Sequence, residues 1–188
     1  MSAQTDNKTR IVACGVSLAN ARDLGEWIGA PSHAIFNFSP SARPLDMDIH
    51  LQSFQIPHFP SLMIGMSKPA YLAIVEYSPA KPVLIFVPSR RQCRLTVDDI
   101  LTHCAADDKP DRFLNIEVES LQLHLDHLSD KALAETLKHG IGYYHEALSK
   151  QDKRIVQRLF ESGAIQVLVA SKVRHIVFLL SRLPTNDE

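Results

Sequence analysis

Apolar positions in this chain change their spacing several times, and the changes mark the elements. The clearest lie between Ile141 and Ser171. Ile141-Gly-Tyr-Tyr is a short β-rich run, Ile155, Val156, Leu159 and Phe160 recur at helical spacing, and Ile165-Gln-Val-Leu-Val-Ala is β-rich again. Strand, loop, helix and strand in about thirty residues is one parallel crossover unit. Loops after such strands are where α/β sheets hold ligands. Ser149 with Asp152 gives a capping-box-like helix start, and Gly163 a stop.

The rest divides in the same way. Val83-Leu-Ile-Phe-Val87 predicts a strand covered on both faces, as in a parallel sheet. Ser89 is placed to cap the next helix, whose Cys93, Val97, Ile100, Leu101 and Cys104 form a buried stripe. Residues 105–116 read as loop. Val118, Leu121, Leu125 and Leu128 predict one helix. Leu133 and Leu137 predict a second, ended by Gly140, with Ser129 as the cap between them, so that the pair is a helical hairpin inserted in the α/β pattern. Residues 61–77 predict a helix that Pro69 starts or kinks.

Upstream, Ile11-Val-Ala-Cys14 predicts a buried strand. Ala21, Leu24, Trp27 and Ile28 predict a helix closed by Gly29, and Ile35 to Phe38 another strand. Leu45, Met47, Ile49 and Leu51 alternate with Asp46, Asp48 and His50, the pattern of a half-buried strand. Pro40 and Pro44 mark a linker. Arg174 to Leu180 predicts a last short strand, and residues 1–9 a disordered tail.

Composition narrows the classes. The chain has 188 residues, 45% hydrophobic and 22% charged, with a formal net charge of −1. That suits one domain, or one plus part of another. Without a global basic field, nucleic acid would bind only through a local patch, and weakly. Three cysteines with no Cys-x-x-Cys spacing argue against a disulfide framework or thiolate zinc site and favour a reducing compartment. The first residues carry no apolar signal core, and no apolar run reaches membrane-spanning length, so no membrane partner is expected.

Candidate chemistry gathers after the strands. Ser89 followed by Arg90, Arg91 and Arg94 places cations at a helix N-terminus, where backbone N–H groups favour anions. The alternative is a solvated basic first turn. His145 is placed to contact a phosphate or orient a loop; the alternative is a histidine with a structural hydrogen bond. A His145–Glu146 acid/base pair in an independent α/β enzyme is a further reading, though neighbouring residues rarely aim at one point. His124 and His127 lie one turn apart and read as surface residues rather than a metal pair. Phe54, Phe59 and Tyr71 read as core rather than base-stacking platforms.

Several strings resemble the DExH-box superfamily-two RNA helicases: Arg10-Ile-Val-Ala, Ser17-Leu-Ala-Asn-Ala-Arg-Asp-Leu, Phe36-Asn-Phe, Ala42-Arg-Pro-Leu, Lys81-Pro-Val-Leu-Ile-Phe-Val-Pro-Ser-Arg-Arg-Gln, Cys104-Ala-Ala-Asp and Ser162-Gly-Ala-Ile-Gln-Val-Leu-Val-Ala-Ser. They cover roughly residues 10–172 and are most similar to the carboxy-terminal cassette of a spliceosomal member, with a cointegrator-type member as rival. In that family two RecA-like lobes sandwich ATP and move along single-stranded RNA. The resemblance implies an α/β fold, the second RecA-like lobe, with a parallel sheet flanked by helices, a short remnant of the first lobe and the inserted hairpin. It divides the chain into a tail at 1–9, the end of the first lobe and linker at 10–40, a truncated second lobe at 41–182 and a tail at 183–188.

The family's third motif falls on Gly15, Val16 and Ser17 in degenerate form. Its fourth falls on Val87 to Gln92, the next on Tyr144-His145-Glu146-Ala147, and its fifth on Val169-Ala170-Ser171. From Lys172 onward the match stops, which reads as a truncated or alternatively spliced product or a mistaken gene model. The implied nucleic-acid-binding residues are Ser89, Arg90, Arg91, His145, Ala170 and Ser171, with no catalytic or metal residues. ATP and Mg²⁺ serve the parent family. The chain has no Gly-x-x-x-x-Gly-Lys-Ser/Thr, no Asp-Glu-x-His and no arginine finger, and no cofactor is expected on it alone. The implied partners are RNA and spliceosomal proteins, in the nucleus. The expected function is a non-catalytic interaction module related to pre-mRNA splicing; the alternative is a working ATP-dependent helicase lobe that needs a first lobe.

Overall fold

The computed structural model describes residues 10–16, 18–42 and 47–171. Ser17, Leu45 and the strand expected at Arg174 to Leu180 lie outside them. The chain separates into two compact units, Met1–Gln52 and Ser53–Glu188.

In the first unit, α1 (Ala21–Ile28) forms where the periodicity predicts it and closes on Gly29 at φ 79°. Gly25 is its buried position, while Trp27 stays 83% exposed. The three expected strands of this unit do not form among the described residues. Residues 11–14 and 35–38 lie outside any strand, as do Met47 to Leu51, and Ile49 and Leu51 are exposed. Phe36 and Phe38 stack on each other, with ring centroids 6.2 Å apart. Alternation in sequence records where side chains would point, but a strand also needs a neighbouring backbone to complete its ladder. No such neighbour is present for these segments among the described residues.

The second unit begins with α2 (Phe59–Tyr77), which carries Pro60 in its first turn, where a missing N–H costs nothing, and Pro69 inside. Then follow β1 (Val83–Val87), α3 (Arg90–Ala106), α4 (Val118–Leu125), α5 (Lys131–Leu137), β2 (Ile141–Tyr144), α6 (Lys150–Glu161) and β3 (Val167–Ser171). The sheet order is β1-β3-β2 and both pairings are parallel. Val167 faces Val83 on one side and Ile141 on the other, so the strands are in step and their carboxyl ends line up. A parallel α/β sheet flanked by helices is consistent with a RecA-like lobe.

The central strand is the core. Every residue of β3 is buried. Val97, Ile100 and Cys104 of α3, Leu133 and Leu137 of α5, and Val156, Leu159 and Phe160 of α6 are 0–2% exposed. Each such apolar side chain contributes roughly 1.5–3 kcal/mol relative to exposure. The expectation that β1 is covered on both faces is corrected: Phe86 is 61% exposed. Among the described residues β1 pairs with β3 on one side only, and its apolar run did not reveal that.

Two local details also differ from expectation. The cap of α5 is Asp130, not Ser129: Asp130 Oδ1 accepts from the Ala132 and Leu133 amides at 3.0 and 3.2 Å. In α6 the capping box is half made. Ser149 Oγ accepts from the Asp152 amide at 3.0 Å, but the Asp152 carboxylate accepts from the Ser129 amide at 2.9 Å. Gly140, at φ 77°, donates to Leu137 O at 3.0 Å. Its carbonyl accepts from Val167 N at 3.3 Å, and a Cβ there would overlap the backbone of Phe113 and Leu114.

Candidate nucleic-acid interface

The lined-up carboxyl ends of β1 and β2 place two loops side by side. After β1 the chain turns through Pro88 to Ser89, whose Oγ accepts from the Gln92 amide at 3.2 Å and starts α3. The first turns of α3 carry Arg90, Arg91 and Arg94. After β2 comes His145, then the turn that ends in the Ser149 cap of α6. Between them lies a cleft of about 680 Å³, whose walls include Arg90, Arg91, Arg94, Asp130, His145 and Ser149.

Arg90 and Arg91 are exposed and make no ion pair among the described residues. Arg94 differs. Its Nη2 donates to Asp130 Oδ2 at 2.8 Å, and its guanidinium lies 5.5 Å from the centre of the Tyr143 ring. The Tyr143 hydroxyl donates to the same Oδ2 at 2.9 Å. Burial pushes the Asp130 carboxyl up, but hydrogen bonds from Tyr143 and the Leu133 amide, with the Arg94 charge and the Ala132 amide, outweigh it and hold the carboxyl below its usual range. Asp130 is therefore a charged group at neutral pH, satisfied by four donors.

His145 is 4% exposed and stacks on Tyr143, with centroids 5.6 Å apart and planes 11° from parallel. Burial lowers its pKa, the Arg94 and Arg90 charges lower it further, and Glu146 and Asp130 oppose them. The ring is neutral at neutral pH. Its Nδ1 has no hydrogen-bond partner among the described residues. A buried ring nitrogen without a partner is uncommon; His145 lines the cleft, with that nitrogen on its buried side.

The structure thus brings Arg90, Arg91 and His145 together in the cleft wall, with Ser89 preceding the arginines in the chain as the cap of α3. Ala170 and Ser171 are 0% and 1% exposed at the end of β3. Ser171 Oγ has no hydrogen-bond partner of normal geometry among the described residues, although its hydroxyl opposes the rise that burial imposes on the Cys93 thiol. Gly15 and Val16 are exposed in the unit Met1–Gln52. Of the three aromatics expected in the core, Tyr71 is there, 2% exposed, its hydroxyl donating to Asp107 at 2.6 Å and accepting from Arg112 at 2.6 Å, whereas Phe54 is half-buried and Phe59, in the first turn of α2, is exposed. Among the described residues no three metal-binding side chains cluster.

Sequence reading missed Asp130 and Tyr143. Asp130 carried a usable signal, an aspartate three residues before the first buried leucine of α5. Its pairing with Arg94, 36 residues away, carried none.

No protein-family model matches the chain. Over 172 residues it is 49% identical to the U5 small nuclear ribonucleoprotein 200 kDa helicase of Homo sapiens, a match that takes in 92% of this chain and 8% of that protein. It is 48% identical over 174 residues to the DExH-box ATP-dependent RNA helicase DExH12 of Arabidopsis thaliana, across 91% of this chain and 8% of that relative. It is 44% identical over 173 residues to the pre-mRNA-splicing factor brr2 of Schizosaccharomyces pombe, across 92% and 8% respectively. The chain therefore spans about 8% of the length of these relatives, and it is homologous to one segment of the DExH-box RNA helicases.

Proposed function

We propose that residues 53–171 are the body of a helicase-type second RecA-like lobe, and that its cleft holds the phosphate backbone of single-stranded RNA. The observation that carries this reading is the meeting of Arg90, Arg91 and His145 at the carboxyl ends of parallel strands. Two exposed guanidinium groups at a capped helix start supply charge, the N-terminal amides of α3 supply donors, and His145 forms part of the wall with a neutral ring. Two cations make a weak, salt-sensitive contact.

By itself the chain is a non-catalytic module. Phosphoryl transfer needs a lysine and a Mg²⁺ site at the phosphates, and the motifs that supply them do not occur in this sequence. The names of the relatives support a working place among spliceosomal proteins in the nucleus, with RNA as the shared ligand. Fluorescence anisotropy with a short oligouridylate tests the cleft. Binding should weaken with salt at a slope of about −1.4, two contacts at about −0.7 each on a single strand, and R90E/R91E should abolish it. Tight binding at physiological salt that survives that double change would place the RNA elsewhere. If the lobe instead works catalytically with a first lobe, RNA-stimulated ATP hydrolysis should appear when such a lobe is added, and should fall in R90E/R91E.

A further inference from the structure

Resting on that reading of the cleft, we propose that Asp130 is a built-in competitor for RNA phosphate, holding Arg94 back from the ligand. Of the three arginines in the cleft wall, Arg90 and Arg91 have no ion pair among the described residues, whereas Arg94 is paired at 2.8 Å. Asp130 meets it as a phosphate would. One carboxylate oxygen takes the guanidinium and the Tyr143 hydroxyl, and the other is filled by the Ala132 and Leu133 amides. The carboxylate cannot move away to yield its partner, because it is also the cap of α5. The Arg94 side chain is 53% exposed and that of Asp130 18%. The guanidinium is the mobile member of the pair, and the anion is the fixed one.

The consequence is a cleft with a reserve cation. RNA phosphate reaches Arg94 only by outcompeting a carboxylate already in place. Affinity is therefore set below what three arginines would give. A merely structural Asp130 would make the opposite prediction, since removing it would loosen the cleft and weaken binding.

Asp130→Asn separates the two. Asparagine caps helices as well as aspartate does, so its oxygen keeps the two amides while its NH₂ faces Arg94 and cannot accept from it. Anisotropy titrations with the same oligouridylate, repeated across salt concentrations, should show tighter binding, with the slope steepening from about −1.4 to about −2.1 as a third contact forms. Removing a negative charge also tightens binding through the field alone. D130N/R94A therefore serves as control, and should return the slope to the two-contact value. Arg94→Ala in the otherwise unchanged chain should leave the slope where it was. Weaker binding by D130N, an unchanged slope, or a slope that flattens on Arg94→Ala alone would overturn the competition while leaving the cleft in place. Failure of both the unchanged chain and D130N to bind RNA at low salt would overturn the reading of the cleft and the competition with it.

Discussion

Gly140 and Gly163 have nearly the same backbone, φ 77° and 73°, but very different surroundings. An alanine at Gly163 meets nothing within 4 Å. Its cost is the left-handed conformation alone, roughly 1–2 kcal/mol, reduced by about 0.4–1 kcal/mol because alanine stiffens the unfolded chain. Gly163→Ala should therefore cost about 1 kcal/mol. At Gly140 the same methyl would overlap main-chain atoms of Phe113 and Leu114, which cannot rotate aside. That segment must lift away, stretching the bonds from Gln166 N to Phe113 O (3.0 Å) and from Val167 N to Gly140 O (3.3 Å). Each is worth about 1 kcal/mol. Phe113, 2% exposed, loses part of its burial, about 1–2 kcal/mol more on the scale for buried aromatics. Gly140→Ala should cost about 4–5 kcal/mol in sum, a large share of the 5–15 kcal/mol that typically holds a domain together. The assay is urea unfolding followed by far-UV circular dichroism, because the single tryptophan, Trp27, lies in the other unit. Equal costs for the two alanines would refute the steric account and leave only the shared backbone angle.

Asp152→Ala should destabilise by about 2 kcal/mol, because the Ser129 amide loses its acceptor, while Asp152→Asn should cost less; equal losses in urea melts would assign the effect to something other than that bond. A thiol reagent should modify exposed Cys14 rapidly in the native protein and reach buried Cys93 and Cys104 only after unfolding; rapid modification of all three would contradict the packing of α3. Burial raises the Cys104 thiol from 9.0 to about 11. Its folded-state pKa is the higher one, so its contribution to stability is complete below about pH 9 and is lost as pH rises towards 11. The shift corresponds to about 2–3 kcal/mol; pH-dependent unfolding of Cys104→Ala should lack that loss, and an identical alkaline profile would dispute it.

Helices were legible from the chain because their signal is local. The spacing of Cys93, Val97, Ile100 and Cys104 and the serines at 89 and 149 each lie within a turn or two of what they control. Strands were legible only as candidates. Val83 to Val87 and Ile165 to Ala170 look alike as apolar runs, yet among the described residues one lies at the edge of the sheet and the other at its buried centre. Nothing within either run says which. The segments at 11–14, 35–38 and 45–51 have strand-like patterns, but the first two and the described part of the third lack a neighbour among the described residues. The arginines of the cleft and His145 could be nominated in advance. That Asp130 occupies one of those arginines depends on α3, the α4–α5 turn and β2 meeting, a fact of tertiary structure with no counterpart in spacing.

The link between Asp152 and position 129 is made by a main-chain N–H, not by the serine side chain. Variation at that position is thus largely silent for this bond. Alanine, lysine or threonine would all offer the same donor, and an alignment showing many residue types there would suggest an unimportant site. Proline alone would remove it. A Ser129→Pro allele would release the start of α6 from the α4–α5 turn without substituting Arg90, Arg91, Arg94 or His145, and would be recognised as harmful only by reading the backbone.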